Sequence, residues 1–152
     1  MKKLIVIALV VVMALSVVAF AACGGETVEG EYSYKNAWDK TGTQSYGAKV
    51  KVTVKGVVIT KVVVEADTET FFNLSSGWEK KQTWIDGEQA MIDSFVGLSV
   101  DEVKAIKVDC AESGQPNTIT GAPSALKVVS GATQSSGRLI LAVQNALSKL
   151  GK

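Results

Sequence analysis

The sequence contains no histidine, and it has only two cysteines and two prolines among its 152 residues. Without histidine, the chain lacks the usual general base of enzymes and the commonest protein ligand of metal ions. Two cysteines, Cys23 and Cys110, are too few for a disulfide framework or for a cluster of thiolate metal ligands. We therefore predict no metal site and assign no catalytic side chain. Any redox chemistry must come from a bound cofactor, and we expect Cys110 to be a small buried apolar residue.

A strong charge of either sign is also missing. The chain has 16 basic and 15 acidic residues, which gives a net charge of +1. Loss of Lys2 and Lys3 with the N-terminal segment would leave 14 basic residues against 15 acidic ones, a net charge of −1. A nearly neutral chain with interspersed signs has no electrostatic footprint for nucleic acid. We therefore exclude nucleic acid as a partner.

The N-terminus has the features of an export signal. Lys2 and Lys3 form a short positive region, and an apolar run follows over residues 4–19. This run is shorter than the roughly 20 residues that a membrane-spanning helix needs. We predict a lipoprotein signal peptide over residues 1–22. Its removal leaves 130 residues, which are enough for one domain with its own core.

A lipobox ends this signal. The run Phe-Ala-Ala precedes Cys23, and in such a motif the cysteine becomes the lipidated N-terminus of the mature chain. We predict lipidation of Cys23, a flexible tether over residues 23–30 and a domain over residues 31–152. The mature protein is then expected on the extracytoplasmic face of the cell membrane, held by its lipid. The alternative is an ordinary secretory signal that is cut after Ala22 and leaves Cys23 unmodified.

The clearest strand pattern lies in the first half of the chain. Three valines alternate with lysine and threonine over residues 49–55, which is typical of a half-buried strand. Gly56 marks a turn, and a run of β-branched residues follows it, so we predict a β-hairpin at about 48–65. Tyr32 and Tyr34 alternate with polar neighbours and indicate an earlier strand.

Helix patterns dominate the second half. Asp86 is in the position of an N-cap for a short helix at about 87–96, with Ala90, Met91 and either Phe95 or Val96 facing inward. A capping box, Ser-Val-Asp-Glu from Ser99, predicts a second helix at about 100–106.

Residues 107–109 are predicted to return to the sheet, and the Gly-, Asn- and Pro-containing residues 111–123 are predicted to form a loop. Because strands come first and helices later, we predict an α+β fold, an antiparallel sheet packed by short helices.

The C-terminal helix is predicted at about 136–150. Apolar residues recur at spacings of three and four and form one stripe. The stripe comprises Leu139, Val143, Leu147 and Leu150, and Ile140 and Ala146 flank it. Ser135 or Ser136 is the predicted N-cap, and Gly151 is the predicted glycine after the helix.

Small and polar residues, Ser130-Gly131-Ala132-Thr133, lie just before this helix. A hydroxyl at that point faces unsatisfied N–H groups and the positive end of the helix dipole, which favour an attached phosphate. Serine and threonine begin many helices, so the residues by themselves favour an ordinary helix start.

The Ser130–Thr133 segment, near the C-terminus and followed by a short helix, resembles the flavinylation motif of the FMN-binding domain family. This family includes the C subunit of the sodium-pumping NADH:quinone oxidoreductase, the G subunit of the Rnf complex and many small bacterial lipoproteins. In the family, a flavin transferase joins FMN to the motif's threonine through a phosphoester bond. The resemblance implies covalent FMN on Thr133, with Ser130, Gly131, Ala132 and Ser135 around the cofactor.

The predicted hairpin, approached through Tyr46-Gly47, also resembles the opening of that domain. Where the family pattern usually has an aspartate, three residues before the motif's serine, this chain has Lys127. The resemblance implies a membrane-anchored flavoprotein that relays electrons, a carrier rather than a stand-alone enzyme. Its implied partners are a flavin transferase and a membrane oxidoreductase or quinone-linked electron donor. The alternative is a cofactor-free surface lipoprotein that acts as a binding or interaction module.

Overall fold

A computed structural model describes residues 24–35, 45–65 and 81–151. The helices and strands in these ranges are β1 (Glu26–Lys35), β2 (Ser45–Lys55), β3 (Val58–Val64), α1 (Lys81–Asp93), α2 (Val100–Lys104), β4 (Lys107–Cys110), β5 (Pro116–Thr120) and α3 (Thr133–Leu147). The first three strands form an antiparallel sheet with β2 in the centre, and β4 pairs with β5 in a second antiparallel sheet. The predicted α+β class is confirmed.

The predicted signal peptide and Cys23 lie outside the described residues. Within the ranges that the structure describes, no helix combines the length and the hydropathy needed to cross a membrane.

β2 is central because its residues alternate between the core and water. Val50, Val52 and Val54 are buried, as predicted, and the intervening lysines point to the exposed face. On that face Lys51 Nζ lies 3.2 Å from a carboxylate oxygen of Glu65 and 3.2 Å from one of Glu29. These contacts, that with Glu65 first, raise the pKa of Lys51. Because the pairs are exposed to solvent, they contribute little to stability.

The predicted hairpin is confirmed as β2 and β3, joined by a two-residue turn. Gly56 has a φ of 63°, and Val57, the second turn residue, has a negative φ, which matches a type II′ turn. β2 begins at Ser45, a few residues before the predicted start, because its first residues pair with the far end of β1.

β1 confirms one prediction and corrects another. A strand was expected around Tyr32 and Tyr34, and both residues lie in β1. However, the residues from Glu26 to Gly30, predicted to be tether, pair with β2 in the same strand. The tether prediction over residues 23–30 is therefore wrong from Glu26 onwards, because pairing with a buried valine strand outweighs the polar composition of this segment.

α3 packs across β1 and β2 and supplies much of the core. The predicted apolar stripe is buried, apart from Leu150, which is partly buried. The helix backbone lies directly on β1 at Gly30, where a Cβ atom would overlap the carbonyl oxygen of Ala142 and the backbone nitrogen of Ala146. Only glycine permits so close an approach of a helix to a strand.

α3 begins and ends three residues earlier than the predicted 136–150. Its N-cap is Ala132, so the prediction of Ser135 or Ser136 as the N-cap is wrong. Both serines lie in the first turn and are buried, with hydrogen-bond partners in the interior. At the other end, Gly151 has a φ of 71° and lies in the turn after the helix rather than directly at its end.

α1 begins before its predicted start. Asp86 lies inside the helix, so its prediction as an N-cap is wrong, and the helix ends at Asp93 rather than near residue 96. Met91 is buried as predicted, and of the two alternatives Phe95 is buried and Val96 is exposed. Ala90, predicted to face inward, is exposed, so that part of the prediction is wrong. Trp84 is wholly buried in the same core.

The capping box of α2 is confirmed. The N–H of Glu102 donates to Ser99 Oγ at 3.2 Å, and the N–H of Ser99 donates to Glu102 Oε2 at 2.8 Å. The bond from the Ser99 N–H, followed by a second one that the Ser99 hydroxyl donates to the same carboxylate oxygen at 2.8 Å, lowers the pKa of Glu102. The helix ends at Lys104, two residues before the predicted end.

The second sheet corrects the predicted loop over residues 111–123. Residues 107–109 do form a strand, but they pair with β5, which lies inside that loop, and not with the large sheet. Pro116 can begin β5 because the first position of a strand need not donate a backbone hydrogen bond. Cys110, at the end of β4, is exposed rather than buried as predicted.

Candidate functional site

Thr133 is the first residue of α3, and a glycine turn brings the chain to it. Gly131 has a φ of 78°, a left-handed conformation that costs other residues roughly 1–2 kcal/mol. Ala132 follows as the N-cap, and Thr133 is partly exposed. The glycine in the motif therefore has a local structural reason, because it allows the chain to turn sharply into the helix.

The first backbone N–H groups of α3 are not hydrogen-bonded within the helix. Its N-cap makes no side-chain hydrogen bond, and the N–H of Ser136 is the one that bonds back to the carbonyl of Ala132, at 2.9 Å. The N–H groups ahead of Ser136 in this turn have no carbonyl partner within the helix. Together with the positive end of the helix dipole, they favour an anion at this position.

A cleft with a volume of about 260 Å³ opens beside Thr133. It is formed by β5, the glycine turn and the first turn of α3. Its lining residues are Pro116, Asn117, Gly131, Ala132, Thr133 and Gln134. None of these side chains is charged, so any attraction for an anion comes from the helix start.

β5 reaches the cleft because Gly137 lets the small sheet approach α3. A Cβ atom at Gly137 would lie 2.5 Å from Pro116 Cβ and 3.2 Å from Val108 Cγ1, too close for any other residue. The sequence patterns did not indicate Pro116 and Asn117 as site residues. The signal that could have found them is the β-branched run Thr-Ile-Thr directly after Asn117, which is typical of a strand.

Tyr32 ties the β4–β5 hairpin to the large sheet. Its hydroxyl donates to the carbonyl of Gly114 at 2.6 Å and lies 3.6 Å from Cys110 Sγ. Burial, followed by the contact with Cys110, raises the pKa of Tyr32 to about 12. The phenol therefore stays protonated, and keeps its hydrogen bond to Gly114, at a higher pH than an ordinary tyrosine would. This bond holds one wall of the cleft in place.

The hydroxyl groups around Thr133 differ in accessibility. Ser130 is exposed. Ser135 is only 2% exposed, and its Oγ accepts a hydrogen bond from Arg138 Nη2 at 3.0 Å. Ser136 is wholly buried, and its Oγ accepts from the N–H of Val129 at 3.3 Å. Of the residues predicted around the cofactor, Ser135 can therefore contribute only its backbone N–H.

Arg138 is a buried cation that the sequence patterns did not indicate. Its guanidinium carbon lies 5.9 Å from the centre of the Tyr34 ring, in addition to the bond with Ser135. A cation above an aromatic face is attracted by the ring. The contact with Tyr34 joins the first turns of α3 to β1, and the bond with Ser135 holds the arginine side chain within α3.

The loop before the motif is also fixed. The N–H of Lys127 donates to Ser94 Oγ at 2.9 Å, while the lysine side chain is exposed.

Over the described part of the chain, no three Cys, Asp or Glu side chains gather into a group that could hold a metal ion.

Comparisons with models of protein families, with curated proteins and with solved structures find no match to this chain. The resemblance of Ser130–Thr133 to the flavinylation motif stays a prediction from the motif residues.

Proposed function

We propose that this chain is an extracytoplasmic flavoprotein, anchored to the membrane through Cys23, which carries FMN covalently on Thr133 and relays electrons. The observation that carries the proposal is the position of Thr133, which is partly exposed at the first turn of α3 beside the cleft. The neighbouring hydroxyls of Ser135 and Ser136 are buried and hydrogen-bonded. A transferase could therefore reach the motif's threonine without unfolding the helix.

The residues around Thr133 fit the phosphate end of FMN. A phosphodiester keeps one negative charge, and the N–H groups of the first turn of α3 can donate to its oxygens. Gly131 and Ala132 have no bulky side chain to occupy that space. Asn117 and Gln134, which also line the cleft, offer neutral polar groups nearby.

The chain's own role is to hold the cofactor and present it. When bound, FMN would supply the redox chemistry, since none of the residues that line the cleft has a redox-active side chain. Covalent attachment suits a protein outside the cytoplasm, since a cofactor that dissociates there is diluted and lost. The proposed partners are a flavin transferase, for maturation, and a membrane oxidoreductase or quinone-linked electron donor.

Production of the protein together with a flavin transferase tests the proposal. After a denaturing gel, a band at the mass of this chain is expected to fluoresce as flavin, because a covalent bond survives denaturation. The same chain made without the transferase is the control and should be dark. If several active transferases leave the chain dark, the cofactor-free binding module becomes the better explanation.

Replacement of Cys23 by serine is expected to abolish lipidation, since serine lacks the thiol that the lipid requires. The precursor should accumulate with residues 1–22 attached. Metabolic labelling with a fatty-acid analogue, followed by a gel, measures both effects. Equal label on the wild type and on Cys23→Ser would show that the lipobox assignment is wrong.

Lys127→Asp is expected to increase the fraction of flavin-carrying chains when the transferase is limiting, because it restores the family's usual acidic residue. The Lys127 side chain is exposed, and the hydrogen bond to Ser94 comes from the Lys127 backbone N–H, which the substitution keeps. The fold should therefore be unaffected. Intact-mass measurement gives the modified fraction. Lys61→Asp, an equal change of charge at an exposed position of β3, is the control. Equal increases for both variants would indicate a general charge effect rather than recognition of residue 127.

A further inference from the structure

The direction of α3 relative to β1 is set by contacts along their whole length. Near the start of β1, Glu26 Oε1 accepts from the N–H of Gly151 at 3.2 Å. In the middle, Gly30 lies against the helix backbone between Ala142 and Ala146. Towards the end of β1, the Tyr34 ring lies beneath Arg138. The helix therefore runs antiparallel to the strand, and its first residue lies at the opposite end of the sheet from Glu26.

The start of β1 is also close to the predicted lipid. A Cβ atom at Gly25 would lie 2.7 Å from the carbonyl oxygen of Val54, so Gly25 is in direct contact with the end of β2. Cys23 precedes Gly25 by two residues, which can span at most about 7 Å. A lipid on Cys23 therefore holds this end of the sheet, and not another surface, close to the membrane.

The β2–β3 turn lies at the same end of the sheet, where the carbonyl of Val57 accepts from the N–H of Val100 at 2.8 Å. Glu26 is paired with Val54, and the turn begins two residues later. At this turn Val57 is 69% exposed and Val58 is 38% exposed, while Lys55 beside them is also exposed. An apolar side chain next to a lysine suits the boundary between lipid head groups and acyl chains, because the valine leaves water and the ammonium group meets anionic phosphates.

We propose that the Lys55–Val58 turn lies against the lipid head groups, so that the Thr133 cleft faces away from the membrane. The orientation rests on the lipidation of Cys23, which belongs to the proposed function. The 15 residues of α3 span about 22 Å, and this length separates the cleft from the end that carries the lipid. The proposed membrane oxidoreductase then meets the cleft through a part of it that lies outside the bilayer, and a quinone inside the bilayer does not reach the cleft directly.

Labels at the two ends of the fold test this orientation. In the mature lipoprotein the thiol of Cys23 is consumed by the lipid, so a Cys110→Ser background leaves no other cysteine. Val57→Cys and Ser130→Cys in this background each carry one thiol at an exposed position. Each variant is labelled with the same fluorophore and reconstituted into vesicles of phosphatidylcholine and phosphatidylglycerol that contain a nitroxide on the lipid head group.

The label at position 57 is expected to be quenched several-fold more strongly than the label at position 130, after each is normalised to vesicles without nitroxide. Equal quenching, or stronger quenching at position 130, would overturn the orientation. Flotation of the vesicles and fatty-acid labelling are measured on the same samples. They distinguish a failure of the lipid anchor from a failure of the proposed orientation. Protein that floats but is quenched equally at both positions contradicts the orientation alone, whereas protein without lipid contradicts the anchor and the orientation together.

Discussion

Thr133→Val is expected to remove all covalent flavin from the chain while the fold persists. Valine has nearly the shape of threonine and lacks only the oxygen that forms the phosphoester. Since Ala132, and not Thr133, is the N-cap of α3, no capping bond is lost. The change in unfolding free energy should therefore stay within about 0.5 kcal/mol, as for other partly exposed positions.

Two measurements check this result on protein made with a flavin transferase. Flavin fluorescence of the denatured chain should disappear, and the intact mass should fall to that of the unmodified lipoprotein. Ser130→Ala is the matched control, because Ser130 is the exposed hydroxyl at the other end of the motif. That variant should keep its flavin.

Two outcomes would contradict the assignment of Thr133. If Thr133→Val still carries covalent FMN and Ser130→Ala does not, the attachment site is Ser130. If both variants keep the flavin, the attachment lies outside the motif. Ser135→Ala is less informative, because it also removes the hydroxyl that accepts a hydrogen bond from Arg138, and a hydrogen bond to a charged group contributes roughly 1.5–3 kcal/mol by itself.

The fold was predictable where the sequence pattern reports burial directly. The alternating valines of β2 and the apolar stripe of α3 are buried as predicted, because a period of two or of three to four residues has one structural meaning when one face is packed. The capping box at Ser99 was equally predictable, because its bonds join residues only three positions apart in the sequence.

Other elements could not be predicted, because their causes lie far away in the chain. The start of β1 has a polar sequence typical of a tether, and it becomes a strand by pairing with β2. The N-cap of α3 was misplaced because serine is a preferred N-cap residue, whereas Ser135 and Ser136 here bond to Arg138 and to the backbone of Val129 in the interior.

The candidate site likewise has one part that the local sequence predicts and one part that it does not. Thr133 at a helix start could be predicted from neighbouring residues. The opposite wall of the cleft could not, because Pro116 reaches α3 only through the space that Gly137 leaves, 21 positions along the chain. A cleft between two elements depends on their packing, which a local pattern does not encode.

The packing of α3 on β1 is closest at Gly30, so it is most sensitive to a substitution there. Gly30→Ala is expected to give the largest loss of stability. The added Cβ atom would overlap backbone atoms of Ala142 and Ala146, and would lie 2.7 Å from the Cβ of Ala146. A helix backbone cannot rotate aside as a side chain can, so α3 must move away from β1 and the core must open. We expect a decrease of about 3 kcal/mol or more in the free energy of unfolding, at the upper end for overpacked cores.

Urea unfolding followed by circular dichroism measures this decrease as a lower midpoint. Gly24→Ala is the matched control, because nothing lies within 4 Å of an added Cβ at Gly24 and its φ is not positive. Its midpoint should match that of the wild type. A Gly30→Ala midpoint equal to that of Gly24→Ala would show that α3 does not rest backbone to backbone on β1. The antiparallel placement of α3 along β1, and with it the distance between Thr133 and the membrane end of the fold, would then lose a principal contact.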